Sequence, residues 1–339
     1  MGEGRGGGIA DVGEPLGGCW LGRTQGSPLR LTGGDKPHPY DTRRRDSESG
    51  RTMRIDGRTK IVGVIGHPVN HTLSPAMHNA AFSALDMNWA YLAFDVAPEA
   101  LETAVRGLAA LGIVGLNCTV PHKERAIPLL DDISQEARAT GSVNTIEVRD
   151  RKLFGYSTDG EGFLRSLNDD LGLNPAGMSV VLLGSGGAAR AIVVALEFAR
   201  AATVRVANRT LSRAEKLCSD LAGFSKNTAL VPVPLQGNAI KKAIKEAHLV
   251  VNATSLGWRA DDPLPIDPTT LHDKLAVLDT CYRTEGTALL KAAQERGLRS
   301  ANGLGMLVYQ GAASFRIWTA RDAPVEVMRR AVEEASRHE

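Results

Sequence analysis

The stretch from Ser179 to Arg190 constrains the fold of this chain more than any other. A short apolar run, Val180 to Leu183, stops at Gly184, and an alanine-rich stretch follows without a linker. Gly184, Gly186 and Ala189 fit the G-x-G-x-x-G/A spacing of a turn that joins a strand to a helix. The first glycine allows the tight turn and the second lets a pyrophosphate approach the backbone. The small third residue lets the helix pack on the sheet. Ser185, Gly187 and Ala188 complete this turn, whose free N–H groups lie at the positive end of the helix dipole and suit phosphate oxygens. The spacing alone is weak, because Gly-rich loops are common. It gains weight from a second β-like run, Thr203–Ala207, which ends about 20 residues on, where folds of this type read the ribose.

Asn208, Arg209 and Thr210 stand at that point, with Arg213 one helical turn further. An NAD site would place Asp or Glu here to accept from the ribose 2′-hydroxyl. Two guanidiniums and two neutral polar groups suit a 2′-phosphate instead. Taken alone, the arginines read equally well as solvated charges opening a surface helix. Joined to the glycine turn at this offset, they point to NADP rather than NAD.

A chain of 339 residues exceeds one ordinary domain and suggests two. Lys and Arg number 40 against 38 Asp and Glu, so no extended basic face for nucleic acid is implied. Cys19, Cys118, Cys218 and Cys281 lie far apart without C-x-x-C spacing and read as reduced thiols of a cytoplasmic protein with no metal framework. No apolar run approaches a membrane span. The expected partner is a small-molecule substrate, with no nucleic acid and no membrane; a homodimer is left open.

Residues 1–57 carry Gly, Pro and charge with almost no periodic apolar content, and are expected to be a disordered or mis-annotated N-terminal extension. Patterned sequence begins just after Met53, which makes that methionine the expected start of translation. Lys60–Ile65 then reads as a buried strand, and Ser74-Pro75 as an N-cap and first-turn proline. Tyr91–Val96 alternates like a strand and Pro98–Leu111 like an amphipathic helix. Gly115–Pro121 is a further strand leading to Lys123. Each polar tip has a bland reading: Ser74 as a cap, Lys123 as a solvated charge, Asn144 as a partner for backbone, Asp159 as a turn residue. Their collection at successive strand ends is unusual, because ligands in α/β folds sit outside the carboxyl ends of strands. The alternation of strands and helices argues an α/β fold with parallel sheets in both halves.

Together these stretches resemble the shikimate dehydrogenase family across nearly all of residues 60–335. The matching motifs are Thr72-Leu73-Ser74-Pro75, Asn117 to Lys123, Ser142-Val143-Asn144-Thr145, Ser157 to Gly160, Gly184 to Arg190, Asn208-Arg209-Thr210, Asn252-Ala253-Thr254-Ser255 and Asn302 to Met306. The resemblance implies NADPH-dependent, reversible reduction of 3-dehydroshikimate to shikimate, a step toward aromatic amino acids. It implies an α/β substrate domain with a parallel-rich sheet (58–157 plus 303–339) and a Rossmann-like NADP-binding domain (158–302). The family's catalytic lysine falls on Lys123 and its partner carboxylate on Asp159. Thr72 and Ser74, helped by Tyr282, would hold the substrate carboxylate, while Thr119, Asn144 and Gln310 would read the ring oxygens. Ala253, Thr254, Ser255, Gly303 and Met306 would lie by the nicotinamide. These residue types fit the chemistry, since hydride delivered to a ketone leaves negative charge on oxygen that needs a proton or cation in reach.

The chain departs from the family at Thr72, where serine is common; the extra methyl crowds the pocket and bears on the choice between shikimate and bulkier quinate. Ser157 stands where asparagine is frequent, and Asn302 where aspartate is. Competing readings are an NAD-using quinate/shikimate dehydrogenase, a glutamyl-tRNA reductase with Cys118 as nucleophile, and a nucleotide-sensing homologue without catalysis. The lack of an acidic residue near Asn208 weighs against the first and the retention of Lys123 with Asp159 against the last.

Overall fold

The computed structural model describes residues 55–283 and 285–337. The expected extension therefore lies, as far as residue 54, outside the described residues. The first half runs β1 (Lys60–Gly66), α1 (Ser74–Ala84), β2 (Trp89–Asp95), α2 (Leu101–Gly107), β3 (Gly115–Cys118), β4 (Asp132–Ile133), α3 (Gln135–Thr140), β5 (Thr145–Arg149), β6 (Lys152–Tyr156) and α4 (Asp159–Leu171). The second runs β7 (Ser179–Leu183), α5 (Gly187–Phe198), β8 (Thr203–Asn208), α6 (Leu211–Leu221), β9 (Ala229–Pro234), α7 (Asn238–Lys245), β10 (Leu249–Asn252), β11 (Ala276–Asp279), α8 (Ala288–Glu295) and β12 (Ser300–Ala301). Helices α9 (Leu304–Thr319) and α10 (Val325–Ala335) follow.

Among the described residues the strands form two six-stranded sheets. The second has the order β12-β11-β10-β7-β8-β9 and is parallel throughout. Read from β9, this is the 3-2-1-4-5-6 order of the doubly wound dinucleotide fold, with its switch point between β7 and β10. Val180 and Leu182 face one core, with α4, α5 and α6; Val181 and Leu183 face the other, with α7 and α8. Burial on both faces is why β7 reads as an unbroken apolar run.

The first sheet has the order β2-β1-β3-β5-β6-β4 and is mixed. β5 runs antiparallel to both β3 and β6, which corrects the expectation of parallel sheets in both halves. Between β5 and β6 the chain reverses in a two-residue hairpin turn at Asp150 and Arg151, both with positive φ, between the paired residues Arg149 and Lys152. Helices α1, α9 and α10 cover one face of this sheet through Met77, Phe82, Phe315, Trp318 and Met328. The last helices thus return to the first sheet. Helix α4 leaves that sheet and packs against both α9 and α5.

Two local expectations need correction. Ser74 is not the N-cap of α1: Leu73 holds that place and Ser74 is the first helical residue. The helix expected over 98–111 is confined to Leu101–Gly107, because Ala100 N–H to Ala97 C=O and Leu108 N–H to Val105 C=O are three-residue turns.

Glu197, near the end of α5, anchors the loop before β9. Its carboxylate accepts from the backbone N–H groups of Lys226, Asn227 and Thr228 and from the side chains of Ser225 and Asn227. Burial alone would raise its pKa, but these donors overcome it and hold the group down at about 2. Glu197→Ala strands several buried donors and is expected to cost about 3 kcal/mol in urea unfolding at neutral pH. A lowered native pKa stabilises above the unfolded value and loses its effect below the native one. The gap between wild type and variant therefore closes as pH falls from about 4.3 toward 2. A gap constant across that window would show that the carboxylate's charge is not what holds the loop.

Candidate active site

The carboxyl ends of the two sheets supply one cleft of about 490 Å³. Lys123 reaches it from the turn after β3, where Val143 N–H donates to the Lys123 carbonyl and fixes the backbone. Asp159 opens α4, a place favourable to a carboxylate because the helix dipole is positive there. Lys123 Nζ lies 2.5 Å from Asp159 Oδ2, and the two side chains are 28% and 13% exposed. Asn144 Nδ2 donates to the other carboxylate oxygen at 2.8 Å and to Thr158 Oγ1 at 2.9 Å, while Asn144 Oδ1 accepts from Thr158 N–H. One amide thus ties the start of β5 to the start of α4. Gln310 Oε1, from α9, lies 3.3 Å from the same Nδ2.

Thr72, Ser74, Thr119, Asn144, Tyr282 and Gln310 all line this cleft with Lys123 and Asp159. So do Gly186, Gly187, Ala188, Ala253, Thr254, Ser255, Gly303 and Met306. Gly184, Ser185, Asn208, Arg209 and Arg213 line an adjoining hollow, which shares Gly186, Gly187 and Ala253–Ser255 with the cleft. Arg209 and Arg213 make no ion pair among the described residues, whereas Arg190 in the same hollow is paired with Asp220. Thr210 lines neither space; its backbone N–H donates to Asn208 Oδ1 and it holds the N-cap position of α6 without a side-chain cap bond.

The glycine turn fits a dinucleotide. Gly184 has φ +106°, and a Cβ there would lie 2.7 Å from the Ala253 carbonyl, so no other residue suits this crossing. A Cβ at Gly186 or Gly187 would meet nothing within 4 Å, which leaves room against the backbone at the start of α5. That is the cradle a pyrophosphate needs. The arginines in the adjoining hollow place positive charge near the end of β8.

Asn117 also lines the cleft, and no role was assigned to it from the sequence. It accepts from the Tyr91 hydroxyl at 2.7 Å and donates to the Asn144 carbonyl, Thr145 Oγ1 and Ser314 Oγ. Burial holds the Tyr91 hydroxyl well above its ordinary pKa, so it remains a donor. The signal was present: Asn117 is two residues before Thr119, the spacing that puts side chains on one face of a strand. His71, Trp258 and Thr280 line the cleft as well. Burial pushes the Cys118 thiol up to about 12, outweighing the opposing pull of Lys123. A thiolate nucleophile is thereby disfavoured.

Comparison with known proteins agrees with this geometry. Residues 64–146 match the shikimate dehydrogenase substrate binding domain, 169–257 the shikimate / quinate 5-dehydrogenase model, and 303–333 the shikimate 5′-dehydrogenase C-terminal domain. The NADP(+) shikimate dehydrogenase of Methanopyrus kandleri is 47% identical over 283 residues, 83% of this chain and 97% of the relative. A shikimate dehydrogenase solved in complex with NADP+ superposes with a TM-score of 0.77 at 36% identity, covering 85% of this chain and 99% of its own. The Thermus thermophilus shikimate 5-dehydrogenase, solved with NADP(H) and shikimate, gives 0.74 at 36% identity, covering 82% of this chain and 100% of its own. With two parallel-rich sheets, a dinucleotide turn and these relatives, the chain belongs to the shikimate dehydrogenase family, oxidoreductases acting on a CH–OH group.

Proposed function

We propose that the cleft carries out the reversible, NADPH-dependent reduction of 3-dehydroshikimate to shikimate, with Lys123 and Asp159 as its acid pair. The observation that carries this reading is the Lys123–Asp159 contact inside a cleft that also receives the Gly186–Gly187 end of the nucleotide turn. Bound NADPH supplies the hydride. As the ketone oxygen gains charge, the Lys123 ammonium donates to it, and Asp159 holds that ammonium in place. Asn144 keeps Asp159 oriented, so the pair is set before substrate arrives.

Thr72 and Ser74 hold the substrate carboxylate, with Tyr282 beside them; Thr119, Asn144 and Gln310 read the ring oxygens. Ala253, Thr254, Ser255, Gly303 and Met306 flank the nicotinamide. Gly184 through Ala188 take the pyrophosphate, and Asn208, Arg209 and Arg213 take the 2′-phosphate end, with Thr210 holding the Asn208 amide through its backbone N–H. Cys118, Cys218 and Cys281 are free and buried, which suits the reducing cytoplasm. Among the described residues no helix is long and apolar enough to cross a membrane.

The direct test follows NADPH absorbance with shikimate and NADP+, beside parallel arms with quinate and NAD+. Turnover led by shikimate and NADP+ is expected; turnover led by quinate or NAD+ would reassign the enzyme. Removing both guanidiniums in Arg209→Ala/Arg213→Ala is expected to raise KM for NADP+ about 100-fold, roughly tenfold per charge-assisted contact. KM for NAD+ should barely move, since NAD+ lacks the phosphate. An equal rise for both cofactors would take these arginines out of 2′-phosphate recognition.

A further inference from the structure

Trp258 is 47% exposed, an uncommon place for so large an apolar ring. It is not loosely held. Asp262 Oδ2 accepts from the backbone N–H groups on either side of it, Gly257 and Arg259, each at 2.9 Å. The indole stands edge-on to Tyr282, with ring centroids 4.9 Å apart at 83°. Trp258 and Tyr282 line the cleft and also a neighbouring hollow, so the aromatic pair stands with His71 and Thr119 where the two meet. A carboxylate clamp that fixes a half-exposed aromatic at the rim of a site presents that ring for use.

We propose that Trp258 is a specificity-determining residue that covers the carbon bearing the substrate's carboxylate and favours a flat, unsaturated ring carbon there over one carrying a hydroxyl. The proposal rests on the reading above, in which Thr72, Ser74 and Tyr282 hold that carboxylate. In shikimate this carbon belongs to a C=C bond and presents a flat apolar face to the indole. In quinate it is saturated and bears a hydroxyl, which the ring would strip of water. Apolar walls reject an added hydroxyl by up to about 100-fold. Thr72 crowds the same end, so the two side chains act on one carbon from different elements.

The test measures kcat/KM for shikimate and for quinate at saturating NADP+ in wild type, Trp258→Ala and Trp258→Phe. Trp258→Ala is expected to lose about tenfold on shikimate, while on quinate the lost packing and the relieved desolvation of the hydroxyl offset each other, narrowing the preference about tenfold. Trp258→Phe keeps most of the preference. Shikimate added without cofactor should perturb the indole emission of the wild type but not that of Trp258→Phe, which keeps Trp20, Trp89 and Trp318. Parallel losses on both substrates, or no loss on either, overturn the role of Trp258 and leave the activity standing. A wild-type protein that oxidises neither compound removes the activity and this proposal together.

Discussion

Replacing Lys123 by alanine is expected to lower kcat by ~10²–10⁴-fold, the usual range for a lost acid–base group. KM for shikimate should change far less, because Thr72, Ser74 and Gln310 are untouched. The fold should survive, since the lysine is partly exposed and its backbone stays pinned through Val143. Asp159→Asn is a milder lesion: it keeps an oxygen near Nζ but removes the charge that holds the ammonium. Steady-state rates at several pH values would separate the two, and near-normal turnover in Lys123→Ala would remove this residue from the chemistry. Loss confined to KM would make it a binding group only.

The second large effect is structural, at Gly303. Its backbone lies so close to the end of β11 that an added Cβ would overlap the Thr280 carbonyl. Gly303 N–H donates to the Cys281 carbonyl, and its own carbonyl accepts from Leu307 N–H in the first turn of α9. Gly303→Ala must push that helix away from the strand, and Met306 and Gln310 would move with it. Overpacking of this kind is expected to cost about 3 kcal/mol, read from the urea midpoint. Catalytic efficiency should fall with stability, since Gln310 lies beside Asn144. Wild-type stability in this variant would mean that the strand and helix yield without cost.

The dinucleotide half was legible because its signals are local. Gly184, Gly186 and Ala189 lie within a few residues of one another, and the apolar run before them reports burial on both faces. Lys123, Asn144 and Asp159 were legible only through the motifs around them; nothing near Lys123 in the chain announces a carboxylate 36 positions away. The reversal at β5 and β6 was missed because its turn uses Asp150 and Arg151 where glycine or asparagine would have signalled positive φ. The bonds of Asn117 to Tyr91 and Ser314 span 26 and 197 positions, and no periodicity encodes such distances. Trp258 was passed over for the opposite reason: a single aromatic in a polar loop has no pattern to belong to.

Helix α4 begins with Asp159 and runs on between α9 and α5, with Gly160 against Ala195 and Gly162 against the Met306 carbonyl. The chemistry is therefore distributed along the polypeptide in a way that resists dissection. Severed between Ser157 and Thr158, the chain would leave the ammonium on one fragment and its carboxylate on the other. Neither fragment would inherit a weaker version of the reaction. A gene encoding this enzyme cannot be split at this seam and leave a working acid pair on either product.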